Sequence, residues 1–105
     1  MDAIERLKGE DIVLMDIQGM SVLADYFVIA SADNERQLKA MAEAVVEAAD
    51  AKRKTSLPNF DRQVMSGWVL VDLGDVVVHL FSPAVRVYYD LEGLWAQARV
   101  LLRVQ

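Results

Sequence analysis

The sequence predicts an α/β fold, a mixed β-sheet flanked by helices, and three observations carry that reading. Tyr26, Phe27, Val28, Ile29 and Ala30 are apolar at both odd and even positions, the pattern of a strand covered on both faces. A stripe of Leu38, Met41, Ala42, Val45, Val46 and Ala49 follows at spacings of three and four, which is one face of a long helix. Two β-rich runs, 68–72 and 76–81, are then separated only by Leu73, Gly74 and Asp75, so they form an antiparallel hairpin. Strand, helix and strand in that order give a layered α/β arrangement, and the hairpin makes its sheet mixed.

The elements follow in order. Ile4 and Leu7 predict a short first helix with Gly9 as its stop. Ile12, Val13, Leu14 and Met15 read as a buried strand, closed by a turn that Gly19 marks. After the second strand, Asp33 is the candidate N-cap of a helix over about 34–54; Arg36 stands three residues on, so a capping box is absent. Glu35, Lys39, Glu43, Glu47 and Asp50 take its outer side. Residues 55–65 are the least legible: 57–61 read either as a short edge strand or as a loop, and Pro58 argues against a central strand. Pro83 suits a first helical turn, and Asp90 caps a further short helix in which Gly93 costs about 1 kcal/mol against Ala. The apolar tail at 100–104 either packs down or marks a partner surface.

A chain of 105 residues with 54% hydrophobic content is expected to form one domain, residues 1–105, with a modest core. With no cysteine, disulfides and thiolate chemistry are excluded, and one histidine cannot build a zinc site. Residues 1–8 mix both charge signs and do not read as a secretory signal, and no apolar run approaches the roughly 20 residues that span a bilayer. The expected location is cytoplasmic. Sixteen acids against eleven bases give a net charge of −5, which disfavours a direct grip on phosphate backbones and favours a basic protein partner. Lys52, Arg53 and Lys54 are the local exception: a solvated helix end, or a contact with RNA or an acidic partner.

Few residues suggest chemistry. His79 shares a strand face with Val77 and Phe81 and reads as a core-edge or surface residue with a local hydrogen bond, or as a polar contact on a binding face. As a general base it would need Asp72 or Asp75 across the hairpin, and no nucleophile accompanies it. Asp72 and Asp75 suit turn hydrogen bonding, and as a pair they suit magnesium, but Gly19, Met20 and Ser21 make no phosphate-binding loop. Trp68, Tyr26, the Tyr88–Tyr89 pair and Trp95 are rim-packed aromatics or anchors for a partner, and one of the two adjacent tyrosines should lie near the surface. Arg86 is placed to stack or to pair with Glu92.

Asp11, Ile12, Val13, Asp16 and Gly19, then the run from Ala24 to Ala30, resemble the opening of the ribosome silencing factor family, also called Iojap-related. The block from Trp68 through Leu73, Gly74, Asp75 and His79 to Phe81 resembles that family's signature. It is followed by Arg86, Tyr88, Tyr89, Leu91, Glu92, Leu94 and Trp95, and the likeness runs from about Leu7 to Trp95. Two stretches depart from the family: the loop from Ser31 to Arg36, and Asp61 to Gly67 in place of a Glu-Gly run.

The resemblance implies a nucleotidyltransferase-like topology without an evident catalytic site, and no cofactor or metal. It implies a translation repressor, not an enzyme, that binds the large ribosomal subunit through its ribosomal protein fourteen and blocks small-subunit joining by occlusion. A minor contact with rRNA, no membrane partner and a homodimer when free belong to the same expectation. The family's contact residues match Trp68 and Leu73; Asp72, Asp75, Tyr88 and Glu92 are the further candidates for the protein-binding site. The alternatives are a factor for large-subunit assembly and a magnesium-dependent nucleotidyl transferase.

Overall fold

Alternation along each strand decides what the sheet buries on its two faces. In the computed structural model, which describes residues 2–22, 24–49 and 59–104, five strands form one sheet in the order β3-β4-β2-β1-β5. These are β1 (Glu10–Asp16), β2 (Tyr26–Ser31), β3 (Trp68–Asp72), β4 (Val76–Phe81) and β5 (Arg99–Val104). The helices are α1 (Asp2–Arg6), α2 (Glu35–Ala49), α3 (Asp61–Ser66), α4 (Pro83–Tyr89) and α5 (Leu91–Leu94). β2 and β4 run parallel, joined through α2, whereas β1–β2, β1–β5 and β3–β4 are antiparallel. The predicted mixed sheet and both hairpin strands stand as expected.

Ile12, Val28, Ala30, Val69, Val71, Val78 and Leu80 point to one face, where Leu38, Met41, Ala42, Val45 and Val46 of α2 close over them with Ile4, Phe60 and Val64. Val13, Met15, Phe27, Ile29, Val77 and Phe81 point to the other, against Val85, Leu91 and Trp95. The central strands β2 and β4 are therefore buried on both sides, which is why they read as unbroken apolar runs. The apolar stripe of α2 is the one predicted from Leu38 to Val46; the basic cluster at 52–54, Asp50, Leu57 and Pro58 lie outside the described residues.

Three local expectations need correction. Helix α1 ends at Arg6 and is closed one residue before the glycine: Lys8 takes the left-handed conformation (φ 63°), and the Lys8 and Gly9 amides donate to Glu5 and Ile4 carbonyls at 3.0 and 2.9 Å. That is the Schellman closure, with Lys8 where glycine is usual. The cap of α2 is Asn34, not Asp33. Its Oδ1 accepts from the Gln37 amide at 2.8 Å, and Gln37 Oε1 reaches back to the Asp33 amide at 2.7 Å. A box-like reciprocal cap is therefore present, one residue on from the position read in the sequence. Gln37 Nε2 also donates to the Leu7 and Lys8 carbonyls, tying the start of α2 to the end of α1. Finally, residues 61–66 form α3, which the sequence did not reveal; it presents only Val64 to the core, too little for a readable stripe.

Helix α3 sets the entry to β3. Gly67 ends it at φ 84°, its amide donating to Gln63 and Val64 carbonyls and its carbonyl accepting from Ser82. A Cβ there would stand 2.6 Å from Val85 Cγ2 and 2.7 Å from Ser82 Oγ. Gly67→Ala is expected to destabilise the fold by roughly 1–3 kcal/mol, from left-handed backbone strain and overpacking together. Urea denaturation measures it, and a change within 0.5 kcal/mol or so of zero, the usual scatter of surface substitutions, would contradict the reading.

Candidate functional site

β3 is an outer strand of the sheet, and its alternation places Val69 and Val71 inward while Trp68, Leu70 and Asp72 face the side of α4. Leu70 is 43% exposed, and Leu73, at the hairpin turn, 38%. Trp68 is half-buried. Its indole stacks on Phe81 (centroids 5.1 Å apart, 27° between planes) and meets Tyr89 at 4.9 Å; Tyr89 in turn meets Tyr88 edge-on at 5.0 Å. Both tyrosines are exposed, so the expectation of one surface tyrosine is met twice over.

A strip thus runs along the edge of the sheet. It begins with Tyr88, Tyr89 and Trp68, continues through Leu70, and ends at Asp72, Leu73 and Asp75. At the rise of a strand, Trp68 and Asp72 stand roughly 13 Å apart. Part of the outer backbone of β3 is occupied as well: the Leu70 amide donates to Gln63 Oε1 at 2.9 Å.

The acids at the far end are exposed. Asp72 Oδ1 accepts from the Gly74 amide at 2.9 Å, the local turn hydrogen bond its position suggested. The Asp75 carbonyl accepts from the Asp25 and Tyr26 amides at 2.8 and 3.1 Å, which fixes the hairpin turn against the start of β2. Among the described residues no group of three or more His, Asp or Glu side chains comes together as a metal site.

Glu92 does not join the strip. It lies on α5, toward the opposite edge of the sheet, and its Oε1 accepts from Arg86 Nε at 2.8 Å, the pairing expected from sequence. Arg86 Nη1 donates to the buried Ser31 Oγ at 2.8 Å. Arg86 is nearly buried, so this ion pair fastens α4 to α5 and β2. A cleft of about 500 Å³ opens beside it, with Asp11, Asp90 and Glu92 facing Arg86 and Arg103. Asp90 caps α5 as predicted: its Oδ1 accepts from the Gly93 amide at 3.2 Å. A Cβ on residue 93 would stand 2.2 Å from that carboxylate, the reason for a glycine inside a helix.

His79 is buried beneath Trp68. Its ring packs edge-on against Phe27 at 4.6 Å, and its Nδ1 accepts a hydrogen bond from the Trp68 indole at 3.1 Å. Burial lowers its pKa to about 4. Asp72 and Asp75 do not reach it; the Trp68 indole is its hydrogen-bond partner among the described residues. The sequence places His79 on this face and leads one to expect a hydrogen bond there, but it does not name Trp68 as the partner. Leu70 is the member of the strip that the sequence does not single out, although counting by twos from Trp68 finds it.

Fold and strip together define a mixed α/β domain carrying an exposed aromatic and acid-ended edge. The chain matches, over residues 1–105, the family described as ribosomal silencing factor during starvation, and it belongs to that family. It is similar to the ribosomal silencing factor of Bacillus subtilis, at 41% identity over 91% of this chain and 80% of the relative. A crystal structure of a Chromobacterium violaceum protein superposes with a TM-score of 0.77 at 41% identity, covering 90% of this chain and 78% of that one. A more distant relative is the mouse mitochondrial assembly of ribosomal large subunit protein 1, 33% identical over 83% of this chain but only 39% of that protein.

Proposed function

We propose that this chain is a translation repressor that binds the large ribosomal subunit through its ribosomal protein fourteen and, by occupying that face, sterically prevents the small subunit from joining. The observation that carries the reading is the exposed strip around Trp68. Tryptophan and tyrosine are the residues most enriched at binding hot spots, and an exposed cluster of them beside exposed leucines is expensive to leave in water unless a partner covers it. The carboxylates of Asp72 and Asp75 at its end suit a basic protein surface, in keeping with the net charge of −5. Trp68, Leu73, Asp72, Asp75 and Tyr88 are the contact residues in this reading, joined by Leu70 and Tyr89; Glu92, held by Arg86, contributes by fastening α5.

In this reading the chain acts as one domain, without catalysis, in the cytoplasm, and pairs as a homodimer when free of the ribosome. Lys52, Arg53 and Lys54 are the group for a minor rRNA contact. A second reading, action during large-subunit assembly, draws support from the printed name of the mouse relative. Binding to immature particles in preference to mature subunits separates it from the first.

The test is co-sedimentation with separated ribosomal subunits. Wild type is expected to travel with the large subunit only, and Trp68→Ala to bind at least about 30-fold more weakly, the loss that follows from truncating a hot-spot residue. Binding to neither subunit sinks the proposal and directs attention to nucleotide and magnesium titrations around Asp72 and Asp75.

A further inference from the structure

We infer that His79 is a positioning residue for the docking strip: by accepting the Trp68 indole N–H it fixes which way the anchor ring faces. The inference rests on Trp68 being a contact residue, as proposed above.

An indole lying on a flat floor has no unique orientation. Phe81 supplies the floor, stacked 5.1 Å away, and Tyr89 supplies a wall at 4.9 Å, yet both contacts are apolar and tolerate the ring turned over. The N–H sits on one edge of the ring, so a single acceptor beneath it selects one of the two orientations. His79 Nδ1 is that acceptor, at 3.1 Å. Its own ring is held in place by the edge-on contact with Phe27.

The choice of residue makes the same point. Position 79 lies between Val77 and Phe81 on one face of β4, and both neighbours are buried apolar residues. His79 itself is only 4% exposed. If Nδ1 accepts from Trp68, the ring proton is on Nε2. That atom is buried with no hydrogen-bond partner among the described residues. A leucine or phenylalanine would fill this place without an unsatisfied N–H, whose burial is costly. A histidine here is understandable when its other nitrogen performs a task, and among the described residues the group on that nitrogen is the Trp68 indole.

The experiment compares His79→Leu, which removes the acceptor, with His79→Asn, whose Oδ1 occupies nearly the place of Nδ1. Two quantities are read: affinity for purified large subunits, and the indole N–H resonance of Trp68 in the free protein. His79→Leu is expected to move that resonance toward the position of a solvent-exposed indole and to weaken binding roughly tenfold, the scale of one net hydrogen bond. His79→Asn is expected to restore most of both.

Trp68→Phe deletes the donor and leaves His79 in place, so it tests the same bond should His79→Leu fail to fold. It is expected to weaken binding by a similar factor, and combining it with a folded His79 variant should add little further loss. An unchanged indole resonance in His79→Leu overturns the inference, as does a resonance that moves while affinity stays at the wild-type value. Failure of the wild type to bind large subunits is a different result: it removes the proposed function, and the resonance alone then decides whether His79 holds the ring.

Discussion

Phe81→Ala is expected to cost about 3–5 kcal/mol of folding stability, the usual loss when a buried aromatic ring is truncated. Phe81 is fully buried at the end of β4 and opposes Trp68 in the β3–β4 register. Its ring is the floor of the Trp68 stack and stands 6.3 Å from the His79 ring, so truncation opens a void beneath both. A void in that place removes contacts on every side, because the backbone around it is pinned by the parallel pairing of Ser31 with Phe81 and by the Ala32 amide donating to the Phe81 carbonyl at 2.9 Å. For a domain of this size the loss lowers the melting temperature by roughly 15–30 °C. Phe81→Leu retains most of the volume and should cost less than about 1.5 kcal/mol. Thermal and urea denaturation of the three proteins measure the series. Equal losses for the two variants would show that the aromatic ring and its volume are not what this position requires.

The central part of this architecture was legible because its signals are periodic. The strands β2, β3 and β4 carry alternation or unbroken apolar runs, and α2 carries five buried residues at helical spacing. The hairpin turn and the Asp90 cap were legible because few residue types fit those backbone positions. Helix α3 was not, since six residues with a single buried side chain leave no period to count. The cap of α2 was misplaced by one because Asp33 and Asn34 are both good caps, and only the spacing to Gln37 decides between them.

The candidate site is legible in its residues and not in its geometry. Trp68 and Leu73 follow from the family resemblance, with Asp72 and Asp75 as the acids beside them, and the structure sets the four along one edge. Glu92 offers a charge for a partner, but in the structure its carboxylate pairs with Arg86, an alternative also readable from the sequence. The bond between Trp68 and His79 spans eleven residues and two strands. It depends on register, which the turn fixes only after the hairpin has formed.

A histidine kept neutral by burial must leave a mark on stability as the pH falls, and this gives the second large expected effect. In the native protein burial lowers the His79 pKa from its ordinary 6.5 to about 4. Between those values the unfolded chain takes up a proton that the folded chain refuses, so the unfolded state binds more protons and stability falls as pH is lowered. Above pH 6.5 neither state is protonated there and His79 adds no slope. From about pH 6.5 down to about 4 the loss accumulates to the order of 3 kcal/mol, and below that both states carry the proton. The charged form has little to recommend it in place: the rings around it are Phe27, Trp68 and Phe81, and a proton on Nδ1 would face the indole N–H that now donates to it. Carboxylates also contribute to any acid titration. Glu10, for one, has its pKa raised chiefly by the nearby charge of Asp33, which acts in the opposite direction and favours the fold as pH falls. The comparison with His79→Asn cancels such terms, since they are common to both proteins. Urea denaturation at a series of pH values from 4 to 8 should show the two stability curves parallel above pH 6.5 and converging or crossing below it, as wild type loses ground that the variant keeps. Curves that stay parallel throughout would mean that His79 takes up its proton equally easily in both states, and a neutral acceptor for the Trp68 indole would then have to be abandoned below pH 6.5.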